Sequence, residues 1–482
     1  MSKSRQVYLL DPHNLTPETI AVTFAKTSRS PQTFQEIADE LTDEKSAEFH
    51  EKWVVGYGHA SVAEHAVLHI AVENISRLAV ECLESNRLAS YTEKSTRYQK
   101  WDENSFYIPN ELDDQPKLRE KYIHASQILF RTYLESLPII RNEIGKSNPR
   151  RPDESEAAWE HRIRSDYVDV CRFLLPVSAL ANVGMTINAR ALEHAIRKML
   201  SHSLAEVQAM GKEIKHVAQM NVPTLVKYAD AVPYWVKAEK SFTETSKSVE
   251  QSQPINDWCQ LVHFDQDAEK LVLAGLLLKH SDLSFQQSLD YLHSLTQTQL
   301  DALSKQVMAE IGDFDSPVRE LEYATFTFDL IMDQGAYFEL KRHRMMTQTP
   351  QALSTLLGYA VPKTIVDAGF ENKYHQAMQL AHQTFFEISD WNPAVASYIV
   401  PNGYNRRLLL RANMRSLHHL INLRSAENAH FSVRRITQRM GDDLVNSNSL
   451  LGPWLRTNQN ETWQSIENQF FSETAHKPSM NG

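Results

Sequence analysis

The chain has 482 residues, a formal net charge of −10, and 23% charged against 42% hydrophobic residues. That length supports two or three domains with real cores, and the ordinary charge balance is that of a soluble globular protein. The acidic excess argues against nucleic acid as the main partner, and no apolar run reaches the roughly 18 residues of a membrane span. Three cysteines, Cys82, Cys171 and Cys259, show neither redox nor zinc spacing, which fits a reduced, cytoplasmic setting. The opening stretch MSKSRQVYLL lacks the apolar core of a signal peptide. Only 14 glycines point to helices rather than a Gly-rich β architecture.

In chain order, His65–Val72 alternates and predicts a strand with Ala66, Leu68, Ile70 and Val72 on one face. Ile75, Leu78, Ala79, Cys82 and Leu83 then fall at helical spacing. The helix leads into Ser85–Tyr98, SNRLASYTEKSTRY, a loop dense in cations and hydroxyls. Such a loop can hold a phosphate through bidentate arginine, serine hydroxyls and backbone N–H groups. It reads equally as a solvated loop with two surface arginines. Residues 186–200, TINARALEHAIRKML, predict a long helix, and 236–256, polar and rich in Ser, Thr, Lys and Glu, predict a linker. Glu322–Arg344 then repeats the earlier order of strand, helix and basic cluster, ending in Arg342-His343-Arg344. The triplet also reads as a helix C-terminus whose cations oppose the macrodipole.

The two sides of the linker resemble each other. Leu41-Thr42 and Gly58 match Leu295-Thr296 and Gly312, 254 residues on. Asn188, Arg190, His194 and Pro176 match Asn413, Arg415, His419 and Pro401, 225 residues on. The shift falls because the first side has a longer middle, roughly 110–165, containing NPRRPDESE. The expectation is two tandem copies of one domain, 1–235 and 257–482, joined by 236–256. Each is of mixed α/β (α+β) class, helix-rich with a small central sheet.

On the last helix, Arg424 shares a face with Leu417, Leu420 and Ile421, while its first-copy counterpart is Met199. An arginine on an apolar face needs an anion, supplied by an internal carboxylate, by a ligand, or avoided by snorkelling. Arg415 and His419 sit at i, i+4, as do Arg190 and His194; no carboxylate or cysteine stands at metal-ligand spacing, so no metal is expected. There is no GxGxxG and no P-loop, and Cys82 falls on an apolar face.

These residues resemble the flavin-dependent thymidylate synthases, whose signature is RHRxxSxNExSxRY. Arg87, Ser90, Glu93, Ser95, Arg97 and Tyr98 match it, with Ser85-Asn86 in place of the leading Arg-His and Thr92 in place of Asn. The second copy keeps Arg342-His343-Arg344 but remakes the stretch Thr347–Tyr359. Glu64-His65 matches the upstream E-H, with Glu322-Tyr323 in the second copy. Asn413, Arg415, Leu417, His419 and Leu423-Arg424 match the late helix, and Arg172–Pro176 matches R-x-x-L-P, with Ser397 in place of Arg in the second copy. The resemblance implies an enzyme that methylates dUMP reductively, using FAD, methylenetetrahydrofolate and NADPH, with no cysteine nucleophile and no other catalytic residue certain. It implies a substrate site of Arg87, Ser90, Glu93, Ser95, Arg97, Arg172 and Arg424. For the cofactor it implies His65, Arg342, His343, Arg344, Asn413, Arg415 and His419. Family members are tetramers with sites where subunits meet, so a homodimer of this double chain would form a pseudo-tetramer. Neither copy has a complete set, but the losses are complementary: the first keeps His65, the Glu93–Tyr98 loop and Arg172, and the second keeps the triplet and Arg424. Two alternatives stand beside this reading: a related flavin enzyme acting on another pyrimidine nucleotide, and a non-catalytic nucleotide-binding or scaffold paralogue.

Overall fold

The computed structural model describes residues 6–97, 99–249 and 257–478. Its contacts separate the chain into two units. One comprises Met1–Lys94, Tyr107–Gln115 and Ser178–Gln251; the other comprises Ser95–Phe106, Pro116–Val177 and Ser252–Gly482.

The first unit is organised on an antiparallel sheet of β1 (Val67–Ser76), β2 (Ala89–Glu93) and β3 (Leu180–Asn188), in the order β1-β3-β2. Leu68 and Ile70 of β1 are buried while Val67, His69 and Ala71 are exposed, as the alternation requires. The register slips between Val72 and Ile75, where Asn74 takes a φ of 57°. Asparagine tolerates that left-handed conformation better than most side chains. The strand then passes into helix Arg77–Glu84, capped by Ser76 and anchored by Glu206. The Glu206 carboxylate accepts from the Ser76 N–H at 2.7 Å and from its hydroxyl at 2.6 Å. The expected loop Ser85–Tyr98 is not all loop. Its residues Ala89–Glu93 pair with Ile187–Val183 of β3, because alternating A-S-Y-T-E can turn Ser90 and Thr92 outward while the backbone completes a ladder. Helix Ala189–Leu200 follows β3, capped by Asn188, and buries Leu192, Ala195, Ile196 and Met199.

The second unit repeats this plan. Its main sheet runs β4-β5-β8-β6, with β4 at Cys259–Phe264, β5 at Thr325–Asp333, β6 at Thr347–Pro350 and β8 at Asn405–Asn413. β8 begins and ends 225 residues after β3, and helix Met414–Arg424 follows it as Ala189–Leu200 follows β3. β4 is an added edge strand. Phe326, Phe328, Leu330, Leu408 and Leu410 of the sheet pack with Leu417, Ile421, Ile436 and Trp454 in one core. A separate pair, β7 (Tyr359–Pro362) and β9 (Phe471–His476), completes the unit.

The second unit also contains a two-fold relation between the copies. Val177 donates its N–H to Val400 O at 3.0 Å, and Asn402, the counterpart of Val177, donates to Leu175 O, the counterpart of Val400, at 2.9 Å. Pro176 and its counterpart Pro401 form the bridge between them. Helices Pro116–Ser147 and Glu371–Ser389 pack together, with Lys373–Glu135 and Lys121–Glu387 ion pairs along their length. Reciprocal contacts of this kind are what a symmetric dimer interface makes. The compact units therefore do not follow the two copies: residues 95–106 and 116–177 of the first copy are built into the unit that carries the second. Within the expected linker, residues up to Ser246 belong to helix Pro233–Ser246, which buries none of its side chains, while 250–256 lie outside the described residues. Among the described residues no helix is long and apolar enough to cross a membrane.

Candidate functional site

Five charged side chains of the second unit form a continuous chain, buried at Asp169, Arg172 and Glu339 and half-buried at Arg97 and Arg424. Arg97 lies near the end of the signature stretch, past strand β2, where its N–H is held by the Ser95 hydroxyl at 3.2 Å. Its Nε donates to both oxygens of Asp169 at 3.0 Å, and its Nη2 stands 2.8 Å from one of them. Asp169 lies in the last turn of helix Glu156–Cys171; Arg172 begins the short 3-10 turn Arg172–Leu174 that ends it. Arg172 Nε is 3.5 Å from Asp169, its Nη1 donates to Thr96 Oγ1 at 3.2 Å, and its Nη2 donates to Glu339 Oε1 at 3.3 Å. Glu339, in helix Gln334–Leu340, takes Arg424 Nη1 on its other oxygen at 3.0 Å. Arg424 Nε then donates to His343 Nε2 at 3.1 Å, and the His343 ring lies 5.4 Å from that of His419.

Burial sets the electrostatics. It raises the Asp169 pKa, against the pull of Arg172 and Arg97. Burial, then the Arg424 guanidinium and the His419 ring, holds the His343 pKa down to about 3, so this imidazole is neutral and free to accept from Arg424. His430 is also neutral: burial and then Arg172 and Arg97 push its pKa well down. Its Nδ1 accepts from the Ser432 N–H at 3.2 Å, which leaves Nε2 to donate to Asp169 O at 3.3 Å. Gln348 of β6 fixes the triplet by donating from Nε2 to His343 O at 2.8 Å.

Of the residues expected to hold substrate, Ser95, Arg97, Arg172 and Arg424 therefore meet in one cluster. The internal carboxylate that Arg424 admitted from sequence is present, and it is Glu339. Glu93 belongs to the first unit, where it is buried in an ion pair with Arg77 at 2.9 Å. Arg87 stands exposed in the turn before β2. Ser90 faces out of the sheet into a shallow groove of about 360 Å³ beside His69 and Thr186. Tyr98 lies outside the described residues. Met199, the counterpart of Arg424, is fully buried, as its apolar face wants.

Of the residues expected to hold cofactor, His343 and His419 belong to the cluster, and Arg342 and Arg344 flank it. Asn413 spends its side-chain oxygen capping helix Met414–Arg424, accepting from the Ser416 N–H at 2.9 Å. Arg415 does not share its partners with His419; it turns to Glu322 at 3.0 Å and to Pro317 O at 3.0 Å. The first copy repeats that pair as Arg190–Glu64. His65 lies in the first unit, its ring 4.9 Å from that of Phe24, in a cavity of about 640 Å³. Trp53 and Phe49 also line that cavity, with Arg29 set over the Trp53 ring.

Sequence reasoning missed Asp169, Glu339, Thr96 and His430. The available signal was a carboxylate three residues ahead of Arg172, Asp169; nothing in the local sequence pointed Glu339 at Arg172 or Arg424. Burial raises the thiol pKa of Cys82 to about 11 and of Cys171 to about 12, and raises that of Cys259 too, so none is a ready nucleophile. Among the described residues no group of three or more metal-ligating side chains assembles.

Comparison with known proteins gives a family and two kinds of relative. The family model described as thymidylate synthase complementing protein matches residues 9–224 and again 260–446. A UPF0159 protein of Chlamydia pneumoniae is 30% identical over 436 residues, covering 86% of this chain and 82% of its own. A flavin-dependent thymidylate synthase of Clostridium tetani is 27% identical over 214 residues, 44% of this chain and 82% of its own. Among solved structures, a flavin-dependent thymidylate synthase of Helicobacter pylori complexed with FAD and dUMP aligns over 42% of this chain and 100% of its own, at 17% identity and a TM-score of 0.30.

Proposed function

The chain belongs to the thymidylate synthase complementing protein family, the flavin-dependent thymidylate synthases, in two tandem copies, and on that premise we propose that it is a flavoenzyme that methylates dUMP to dTMP. Methylenetetrahydrofolate would be the one-carbon donor and NADPH the reductant. The observation that carries this is the convergence of Arg97 and Arg172 from the first copy with Arg424 from the second. It supports a site shared between the copies, in keeping with their complementary losses.

The donor set suits FAD in its chemistry: exposed Arg342 and half-buried Arg344 offer cations to a pyrophosphate, and the neutral His343 ring and the neighbouring His419 ring offer edges to a heterocycle. Asn413, Arg415 and, in the first unit, His65 are assigned to the cofactor by the family likeness. FAD, when bound, would carry the hydride between reductant and substrate. The chain's own work is positioning. Arg97, Arg172 and Arg424 orient the anionic end of the nucleotide, Ser95 holds the turn that presents Arg97, and His343 holds Arg424 from the far side. Ser90, Arg87 and Glu93 complete the family's substrate signature. The cytoplasm is the expected location. The reciprocal contacts inside one chain support a homodimer that would complete a pseudo-tetramer with two FAD, one per chain.

The test is direct. Purified protein supplied with FAD should show flavin absorbance at one equivalent per chain, and with methylenetetrahydrofolate and NADPH it should convert dUMP to dTMP. Arg97→Ala should lower dUMP affinity and leave flavin content intact. Protein that takes up no FAD and rescues no thymidine-requiring host would refute the proposal. Asp169 and Glu339 favour a second reading, because they already neutralise two of the three arginines: a relative that acts on a different pyrimidine nucleotide, or that binds one without catalysis.

A further inference from the structure

We propose that Tyr359, His375 and His476 form a pH-sensitive latch on the C-terminal strand β9. It holds the strand while both imidazoles are neutral and frees its end when they charge. The latch uses no residue of the arginine cluster, so it stands whether or not a nucleotide binds there.

The β7–β9 pair is a two-stranded ladder whose register slips twice, and so short a ladder is marginal by itself. At its end, side chains from three elements meet. Tyr359 of β7 is 1% exposed, and its hydroxyl donates at 2.6 Å to Nδ1 of His375, in helix Glu371–Ser389. The His375 ring lies 4.3 Å from that of His476, which ends β9 and lies 5.1 Å from the Tyr359 ring. Glu371 stands 3.4 Å from His375 Nε2. The neutral tautomer that serves both neighbours carries its proton on Nε2, facing Glu371, and leaves Nδ1 to accept from Tyr359. A second proton must go to Nδ1, where the Tyr359 hydroxyl hydrogen already points. The other phenols packed on Tyr359 are Tyr374 and Tyr404; they donate to Ala360 O at 2.8 Å and Met378 O at 2.9 Å, so neither replaces Tyr359 at His375.

The carboxylates do not hold the latch shut. Glu371 shares a helix with His375, and Glu473 shares β9 with His476, at 2.8 Å. Each of these pairs therefore persists whether the strand is docked or not. Both carboxylates are also about half exposed, where an ion pair contributes little. Charging the imidazoles changes what passes between the elements. The Tyr359 hydroxyl loses its acceptor, and two rings in contact become two like charges. The strand leads back to Phe471, whose ring meets Phe431 at 5.2 Å, and Phe431 stacks at 5.9 Å on Phe173, the neighbour of Arg172. The latch is thus the outer end of a brace that reaches the arginine cluster.

Hydrogen–deuterium exchange of the full chain, read by mass spectrometry and corrected for the intrinsic pH dependence of exchange, tests the latch. Between about pH 7.5 and pH 5.5, a peptide spanning β9 should lose protection by about tenfold, while one spanning β8 holds. His375→Gln keeps an oxygen to accept from Tyr359 but cannot charge, so its β9 protection should agree at the two pH values within about twofold. His476→Gln removes the repulsion alone and should show a smaller loss than wild type, which gives a second variant should the first misfold. Protection of β9 that does not change with pH in wild type overturns the inference. So does a loss shared by β8, or one as large in the glutamine variants as in wild type; either result marks a general loosening by acid rather than these imidazoles.

Discussion

Arg424 shows how a buried charge decides the fate of a side chain. Its counterpart Met199 is simply core, whereas Arg424 is held by Glu339 and by a neutral imidazole. Arg424→Met therefore leaves Glu339 with Arg172 alone, and the variant should lose about 3 kcal/mol, the low end of the cost of breaking a buried pair, since Arg424 is only partly buried. Urea denaturation measures this, and adding Glu339→Gln to Arg424→Met should recover part of the loss because the stranded carboxylate is gone. An unchanged midpoint would mean the pair contributes nothing. His343 gives a pH prediction. Its folded pKa of about 3 lies below the ordinary value near 6.5, so between these pH values the unfolded chain binds a proton the folded chain refuses. Stability from this group is present above about pH 6.5 and falls as the pH drops towards 3. Thermal melts from pH 7.5 to 4 should show a shallower decline for His343→Asn than for wild type; parallel curves would contradict the buried neutral imidazole.

The same strand and helix are built twice, and the caps show why both copies hold them. Asn188 and Asn413 each end a strand and begin a helix, accepting from the N–H three residues on at 2.9 Å. A cap of this kind is worth about 1 kcal/mol, so Asn413→Ala should lower stability by that amount in chemical denaturation, with Asp in its place losing far less. An alanine variant as stable as wild type would show that the Asn413 oxygen is replaceable there. Elsewhere a turn demands glycine. Gly358 has a φ of 72°, and a Cβ there would stand 2.6 Å from His476 O in the β7–β9 pairing. Gly358→Ala should therefore loosen the C-terminal strand, which limited proteolysis near residue 470 would report; an uncut variant would show that the backbone absorbs the clash.

At the scale of the molecule, the second copy is completed by the first. Phe173 packs in parallel on Phe431 at 5.9 Å, Asn402 holds Arg172 O at 3.0 Å, and the Val177–Val400 and Asn402–Leu175 bonds tie the copies. A fragment of residues 257–482 made alone would expose these surfaces and leave Glu339 without Arg172. It should show no cooperative melting transition, and co-expression with residues 1–235 should restore one. A fragment that unfolds cooperatively by itself would show that the borrowed segment is not needed. Much of this plan was legible from residues. The duplication, the strand before each basic cluster, and most of the helix expected over 186–200 follow from local periodicity and from counterparts at fixed separations, although 186–188 close strand β3 and the helix begins only after Asn188. Such signals survive in one dimension because strands and helices are set by neighbours within a few residues. Three features could come only from the folded chain: β2 inside the expected loop, the passage of 95–106 and 116–177 into the second unit, and the identity of the anion that meets Arg424. A strand forms when a distant edge accepts its ladder, and an arginine finds its carboxylate through space. Glu339 lies 85 residues from Arg424 and 167 from Arg172, so periodicity brought each of them to the right face of a helix or turn, and tertiary packing alone decided that they would neutralise one another.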